Sequence, residues 1–215
     1  MAVFVFDAYG TLFDVHAAIG RFRGEAGAEA DRMSEIWRTK QLEYSWTLSL
    51  LGRYADFWTL TERALDYALA RVPSVDAALR PKLLDAYFKL DAFQDARAAL
   101  RALKSQGHRT GILSNGSPNM LNGAVDAAGI RGDLDAVLSV DALKMFKPHP
   151  EVYALVTDHF KCTPADVTFV SSNRWDVAGA AAVGFSTAWV NRGNLPNEYP
   201  DLPAKRILRD LMSLA

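Results

Sequence analysis

Polar side chains with chemical potential stand at or just after short apolar runs of this chain. Asp7 follows VFVF, Ser114 and Asn115 close the run GIL, Lys147 lies in MFKPHP, and Ser171, Ser172, Asn173 and Asp176 follow VTFV. A carboxylate serves as nucleophile or base, a lysine ammonium steadies nearby negative charge, and hydroxyl and amide groups orient both. Each residue taken singly has a plainer explanation. An Asp after a strand is commonly a turn residue or helix cap, and Asp176 has its own plainer reading as N-cap of the helix Trp175 to Val183. Chance rarely points an acid, a lysine, an amide and two hydroxyls at one crevice.

The elements that must position these groups are legible from periodicity. Val3 to Phe6, Thr110 to Leu113, Ala136 to Val140, Val167 to Val170 and Ser186 to Val190 read as short buried strands. Helical patterns separate them: Asp95 to Ser105, Pro118 to Ala128, Pro150 to Lys161 and Trp175 to Val183. The alternation predicts an α/β fold, a Rossmann-like parallel sheet with helices on both faces and a crevice at the carboxyl ends of its strands. Between Val15 and Leu90 the alternation stops. Trp37, Gln41, Tyr44, Leu48 and Leu51 fall at helical spacing, which predicts an inserted helical cap over that carboxyl edge, able to exclude water. The expected division is a core of 1–14 and 91–215 and a cap of 15–90. Gly193 to Pro203 reads as a surface loop before a last amphipathic helix.

Composition narrows the function. The 215 residues carry 24 Lys+Arg against 25 Asp+Glu, a formal charge of −1, with half of the residues apolar. No basic run offers the positive footprint that nucleic acid or an anionic membrane surface requires, although two or three local cations would hold a small anionic substrate. The uncharged stretch from Val177 to Asn191 falls short of the roughly 20 residues of a spanning helix, and the first residues lack a basic leader. Cys162, the single cysteine, has no intramolecular partner, which fits a reducing compartment, and the chain is expected in the cytoplasm. His16, His108, His149 and His159 lack metal-ligand spacing, and no glycine-rich phosphate loop is present, so neither metal nor cofactor is expected.

Asp7, Gly10 and Thr11 in D-x-x-G-T, Ser114, Lys147-Pro148 and the acidic loop VSSNRWD resemble the four motifs of the haloacid dehalogenase superfamily. Most members of that superfamily are magnesium-dependent phosphatases with further acids where this chain has Tyr9 and Ser172. Losing both carboxylates removes ligands that a hard cation wants. FDAYGTL, WRTKQLEY, LSNG, KP with Tyr153 six residues after the lysine, and SSNRWD are together similar to the L-2-haloacid dehalogenases.

The resemblance implies a hydrolase acting on carbon–halide bonds, an (S)-2-haloacid dehalogenase that turns short-chain L-2-haloalkanoic acids into D-2-hydroxyalkanoic acids without a metal. It implies Asp7 as the nucleophile, with Thr11, Ser114 and Ser171 as donors orienting Asp7 and the substrate carboxylate. Asp176 would help to activate water, positioned by Lys147 and Asn173, and the lysine charge would keep the neighbouring acids ionised. Tyr153 is included on resemblance. Arg38, Asn115 and Trp175 would receive the halide, and Tyr9, Leu42 and Phe57 would wall the alkyl group, Leu42 lying one turn after Arg38 on the same helix face. Trp46 and Trp58 are expected in cap core or at a subunit contact. An apolar stripe on the longest cap helix and the resemblance both suit a homodimer. The alternatives are a small-molecule phosphatase of the same superfamily and a catalytically idle binding module.

Overall fold

Four consecutive apolar residues without a polar face suit a strand covered on both sides. In the computed structural model, which describes residues 2–214, β1 (Val3–Phe6) is buried throughout and lies inside a fully parallel sheet. The other strands are β2 (Arg109–Ser114), β3 (Ala136–Ser139), β4 (Val167–Ser171), β5 (Ser186–Val190) and β6 (Arg206–Leu208), in the order β3-β2-β1-β4-β5-β6. Phe6 pairs with Ile112 of β2 and Val170 of β4, so the residues that follow these three positions emerge side by side. The order reverses at β1, and such a switch point opens a crevice at the carboxyl ends of the strands.

The segment between β1 and β2 is helical: α1 (Ala17–Gly20), α2 (Arg23–Ala26), α3 (Ala30–Leu50), α4 (Phe57–Arg71) and α5 (Arg80–Phe88). Asp56 starts α4 by accepting the backbone N–H groups of Trp58 and Thr59, donors that the first turn otherwise leaves open. The pair α3 and α4 is knitted by a buried polar thread. Trp37 Nε1 donates to Thr61 O at 2.9 Å, Gln41 Nε2 to Thr61 Oγ1 at 3.0 Å, and Tyr87 Oη to Gln41 Oε1 at 3.2 Å. The chain leaves the sheet and returns through adjoining segments, joined by Phe93 N to Leu12 O and Asp14 N to Asp91 O.

After the return come α6 (Ala96–Ser105), α7 (Pro118–Ala127), α8 (Pro150–Phe160) and α9 (Arg174–Ala182). Pro118 and Pro150 open their helices, where the missing N–H costs nothing. Helix α6 turns Ala96, Ala99, Leu100 and Leu103 inward and contacts β2, while α9 contacts β4 and β5. None of the helices among the described residues is long and apolar enough to cross a membrane.

One expectation is corrected. The terminal amphipathic helix is absent: Arg206–Leu208 extends the sheet beside β5, and a 3₁₀ turn, Leu211–Leu214, follows and contacts α6. The backbone groups of β5 decide this, because an open strand edge gains more from pairing than so short a segment gains from coiling.

Candidate active site

The register of β1, β2 and β4 converts sequence neighbours of three separate strands into one cluster. Asp7 is held by its backbone N–H, which donates to Val170 O at 2.9 Å. Gly10, at φ +94°, turns the chain back in a conformation that side chains other than hydrogen disfavour. That turn lets Thr11 Oγ1 donate to Asp7 Oδ2 at 3.0 Å while it accepts the Ser172 N–H at 2.8 Å. Asn173 Nδ2 donates to the same Asp7 oxygen at 2.7 Å and to Tyr9 O at 3.1 Å.

Lys147 is buried between two acids. Its Nζ lies 2.9 Å from Asp7 Oδ1, 2.6 Å from Asp176 Oδ2 and 3.0 Å from Leu113 O, so all three ammonium protons have acceptors. Burial pulls its pKa down, yet the charges of Asp176 and Asp7 outweigh that and leave it above the ordinary lysine value. Asp176 goes the other way from the expected lowering by lysine. Burial raises it to about 6, overcoming the attraction of Lys147, with Asp7 adding to the rise. Asp176 is the third residue of α9 rather than its cap; Asn173 holds the cap position. Tyr153 Oη donates to Asp176 Oδ1 at 2.7 Å, and burial followed by the nearby Asp176 charge keeps it protonated. Gly179 permits that contact, since a Cβ there would collide with the Tyr153 hydroxyl.

The remaining hydroxyls divide. Ser171 Oγ lies 3.4 Å from Asp176 Oδ2 and accepts the Asn173 N–H, whereas Ser114 Oγ accepts the Gly116 N–H. Thus Thr11 is the hydroxyl bonded to Asp7, and the other two serve the acid and the turn beside it. Asn115 Oδ1 accepts the Lys147 N–H at 2.9 Å, which fixes the amide orientation and directs its Nδ2 elsewhere.

Residues from the helical segment complete the enclosure. Arg38, half-buried, donates from Nη2 to Tyr9 O at 3.2 Å, and Leu42 is half-buried one turn further along α3. The Tyr9 ring stacks on Phe57 at 6.2 Å and on Tyr87 at 5.8 Å, with its own hydroxyl buried and unpaired among the described residues. Trp175 lies with its ring centroid 6.0 Å from Lys147 Nζ. Trp58 packs edge-on to Phe88 at 5.6 Å, in keeping with helical-segment core.

Three contributors were not legible in the pattern. Trp46 meets the Trp175 ring edge-on at 5.4 Å, Tyr87 joins the Tyr9 wall, and Arg174 is buried beneath the loop of residues 193–203. An aromatic residue eight positions after Arg38 and an arginine between Asn173 and Trp175 are the only local signals. No group of three or more His, Cys, Asp or Glu side chains among the described residues has metal-holding geometry.

Comparison with known proteins gives one consistent kinship. A family model described as haloacid dehalogenase-like hydrolase matches residues 1–184. The (S)-2-haloacid dehalogenase 1 of Pseudomonas sp. (strain CBS-3) is 48% identical over 211 residues, covering 98% of this chain and 93% of that protein. The crystal structure of a dehalogenase superposes with a TM-score of 0.97 at 45% identity, covering 100% of this chain and 95% of the other. The L-2-haloacid dehalogenase from Xanthobacter autotrophicus, solved with chloropropionic acid covalently bound, superposes at 0.87 with 38% identity, covering 100% of this chain and 96% of the other.

Proposed function

The chain belongs to the haloacid dehalogenase-like hydrolases, and we propose that it hydrolyses L-2-haloalkanoic acids to D-2-hydroxyalkanoic acids and halide through an ester on Asp7. The observation that carries this is a carboxylate, Asp7, gripped by Lys147, Thr11 and Asn173 and roofed by Arg38. Oδ2 of Asp7 already accepts two donors and Oδ1 one, so Oδ1 retains a lone pair for carbon. Attack on C2 from the side opposite the halogen forms a carbon–oxygen bond as the carbon–halogen pair departs with the halide, inverting the centre. Arg38, Asn115 and Trp175 receive that anion, a planar guanidinium and an amide donor facing charge as it develops. Tyr9, Leu42 and Phe57 wall the alkyl group.

Water then attacks the ester carbonyl of Asp7. Asp176 takes its proton, poised for this by a pKa near 6, while Tyr153 and Ser171 hold the Asp176 carboxylate and Lys147 bridges both acids. The bond between the Asp7 carbonyl carbon and the substrate oxygen then breaks, the proton held by Asp176 passes to that oxygen, and the hydroxy acid leaves Asp7 with one oxygen from water.

A phosphatase assignment is disfavoured by the donor set. The Lys147 ammonium stands between the two carboxylates where a divalent cation would need them, and Tyr9 and Ser172 supply no charge. The residues therefore do not fit a magnesium ion, and no step runs through one. We further assign 15–90 as a cap and 1–14 with 91–215 as the core. Cytoplasmic placement rests on the single cysteine, and a homodimer on exposed Leu51 and Tyr67 of the α3–α4 region together with the family kinship.

The test is a single turnover of L-2-chloropropionate with enzyme in excess, in ¹⁸O-labelled water and excess chelator. The first product should emerge unlabelled, with label on the peptide containing Asp7 and undiminished halide release. Fully labelled first product would make Asp7 a base instead. Halide release that needs added Mg²⁺, or efficient hydrolysis of an aryl phosphate, would return the assignment to the phosphatases.

A further inference from the structure

A chain of buried polar groups runs through the helical segment and ends beside Arg38. Gln41, Thr61 and Tyr87 are each at most 2% exposed and come from three different helices, α3, α4 and α5. Apolar side chains of the same shape would join these helices about as well, because replacing both partners of a buried hydrogen bond by apolar groups is nearly neutral. What an apolar core could not do is fix the direction of a hydroxyl group.

That direction follows from the protons available. Thr61 Oγ1 donates its one proton to Phe57 O at 2.8 Å, so it meets Gln41 only as an acceptor. The Gln41 amide must then turn Nε2 to Thr61, at 3.0 Å, and Oε1 to Tyr87. Tyr87 Oη donates its own single proton to that oxygen at 3.2 Å. What remains to the tyrosine is its lone pairs, which attract a cation and repel an anion.

The cation beside them is Arg38. Burial raises the Tyr87 hydroxyl above its ordinary pKa, and the Arg38 charge is the largest influence pulling it back. Burial and then Tyr87 raise the Tyr9 hydroxyl, and Arg38 again opposes them. The Tyr9 and Tyr87 rings are stacked at 5.8 Å, and Arg38 Nη2 donates to Tyr9 O at 3.2 Å. The guanidinium therefore has two negative ends to lie against, a carbonyl oxygen and a phenol oxygen. Gln41, which orients the phenol, stands three residues after Arg38 on α3.

We propose that Gln41 and Tyr87 are positioning residues for Arg38: Gln41 orients the Tyr87 hydroxyl, and the Tyr87 oxygen holds the guanidinium at the angle from which it receives the departing halide. The proposal rests on the dehalogenase reading above and goes beyond it by naming what aims its halide acceptor. Arg38 by itself is a long, half-buried side chain free to take many rotamers, and a misdirected donor loses most of its value at developing charge.

The experiment measures single-turnover halide release from (S)-2-chloropropionate and (S)-2-bromopropionate, with enzyme in excess, for Tyr87→Phe and Gln41→Met. Release of chloride should slow about tenfold in each. Release of bromide should slow less, so that the bromide-to-chloride ratio rises roughly threefold, because the smaller anion carries its charge more densely and depends more on its donors. Arg38→Ala supplies the second readout. In that background either substitution should change the rate by less than about twofold, since no guanidinium is left to aim. A general loss of packing would slow both halides alike and would persist without Arg38, and either result overturns the proposal. Tyr87→Phe keeps the ring on Tyr9, so the test stands even if the Gln41→Met variant fails to fold. Absence of halide release from both substrates in the unaltered enzyme would show instead that the dehalogenase assignment has failed.

Discussion

The two halves of the candidate site are built on opposite terms. On the sheet side, Asp7, Lys147, Asp176 and Tyr153 are buried and joined by hydrogen bonds, Asp7 following β1, Lys147 in the turn before α8, Tyr153 on α8 and Asp176 on α9. On the helical side, Arg38 is half-buried and holds the sheet side through a single bond of 3.2 Å to Tyr9 O. The sheet side is therefore assembled before any substrate arrives, its ionic groups already compensated. In the proposed reaction the helical side would keep unspent donors for the departing halide, and the sheet side preorganised charge around the attacking carboxylate.

This contrast breaks most visibly at Lys147. Lys147→Met leaves two buried carboxylates facing each other, and the fold should lose about 3–5 kcal/mol, together with all turnover. Chemical denaturation should show the loss shrinking as pH falls from 8 to 5, because protonated acids no longer repel.

Asp176→Asn should lower kcat on the order of 10²- to 10⁴-fold, the usual weight of a positioned base, while the protein stays folded. In the unaltered enzyme, turnover should rise with pH through about 6 as Asp176 loses its proton. The stability effect has the opposite sign. A folded-state value of about 6 against the ordinary 3.8 means that this group's stabilising contribution is complete below about pH 3.8 and is lost as pH rises through 6. Asp176→Asn should therefore gain more in Tm relative to the unaltered enzyme at pH 8 than at pH 4. An equal shift at both would dissociate Asp176 from that titration.

Arg38→Ala should lose roughly 10²- to 10³-fold in kcat, as for removal of one donor at developing charge. Its unfolding free energy should stay within about 0.5 kcal/mol, since a half-buried side chain with one bond carries little of the fold. A large drop in Tm would make Arg38 part of the framework and erase the distinction between the halves. The smallest effect is expected at Asp56→Ala, which removes the α4 cap and should cost about 1 kcal/mol by denaturant titration, with turnover nearly retained.

The chain's own pattern carried much of this. Short apolar, β-branched runs bounded by turn residues read as covered strands, and prolines opening helices marked where crossovers begin. Acids, lysine and hydroxyls at strand ends pointed to one crevice because parallel strands deliver their carboxyl ends to the same edge. Those features are local: each depends on residues within a few positions, so a linear pattern records them. Elsewhere the deciding partners are distant in sequence. Arg206–Leu208 became β6 because the β5 edge needed pairing, and three residues carry too little periodicity to announce it. Ser114 turned to the Gly116 N–H, Trp46 to the Trp175 ring and Arg174 to the carbonyls of residues 199 and 202, choices set by which groups burial left unpaired. The sign of the Asp176 shift belongs to the same class. Sequence alone determined that an acid and a lysine would share the crevice. Only tertiary structure decided that desolvation of Asp176 would outweigh the attraction of Lys147, because desolvation is a property of everything packed around a group.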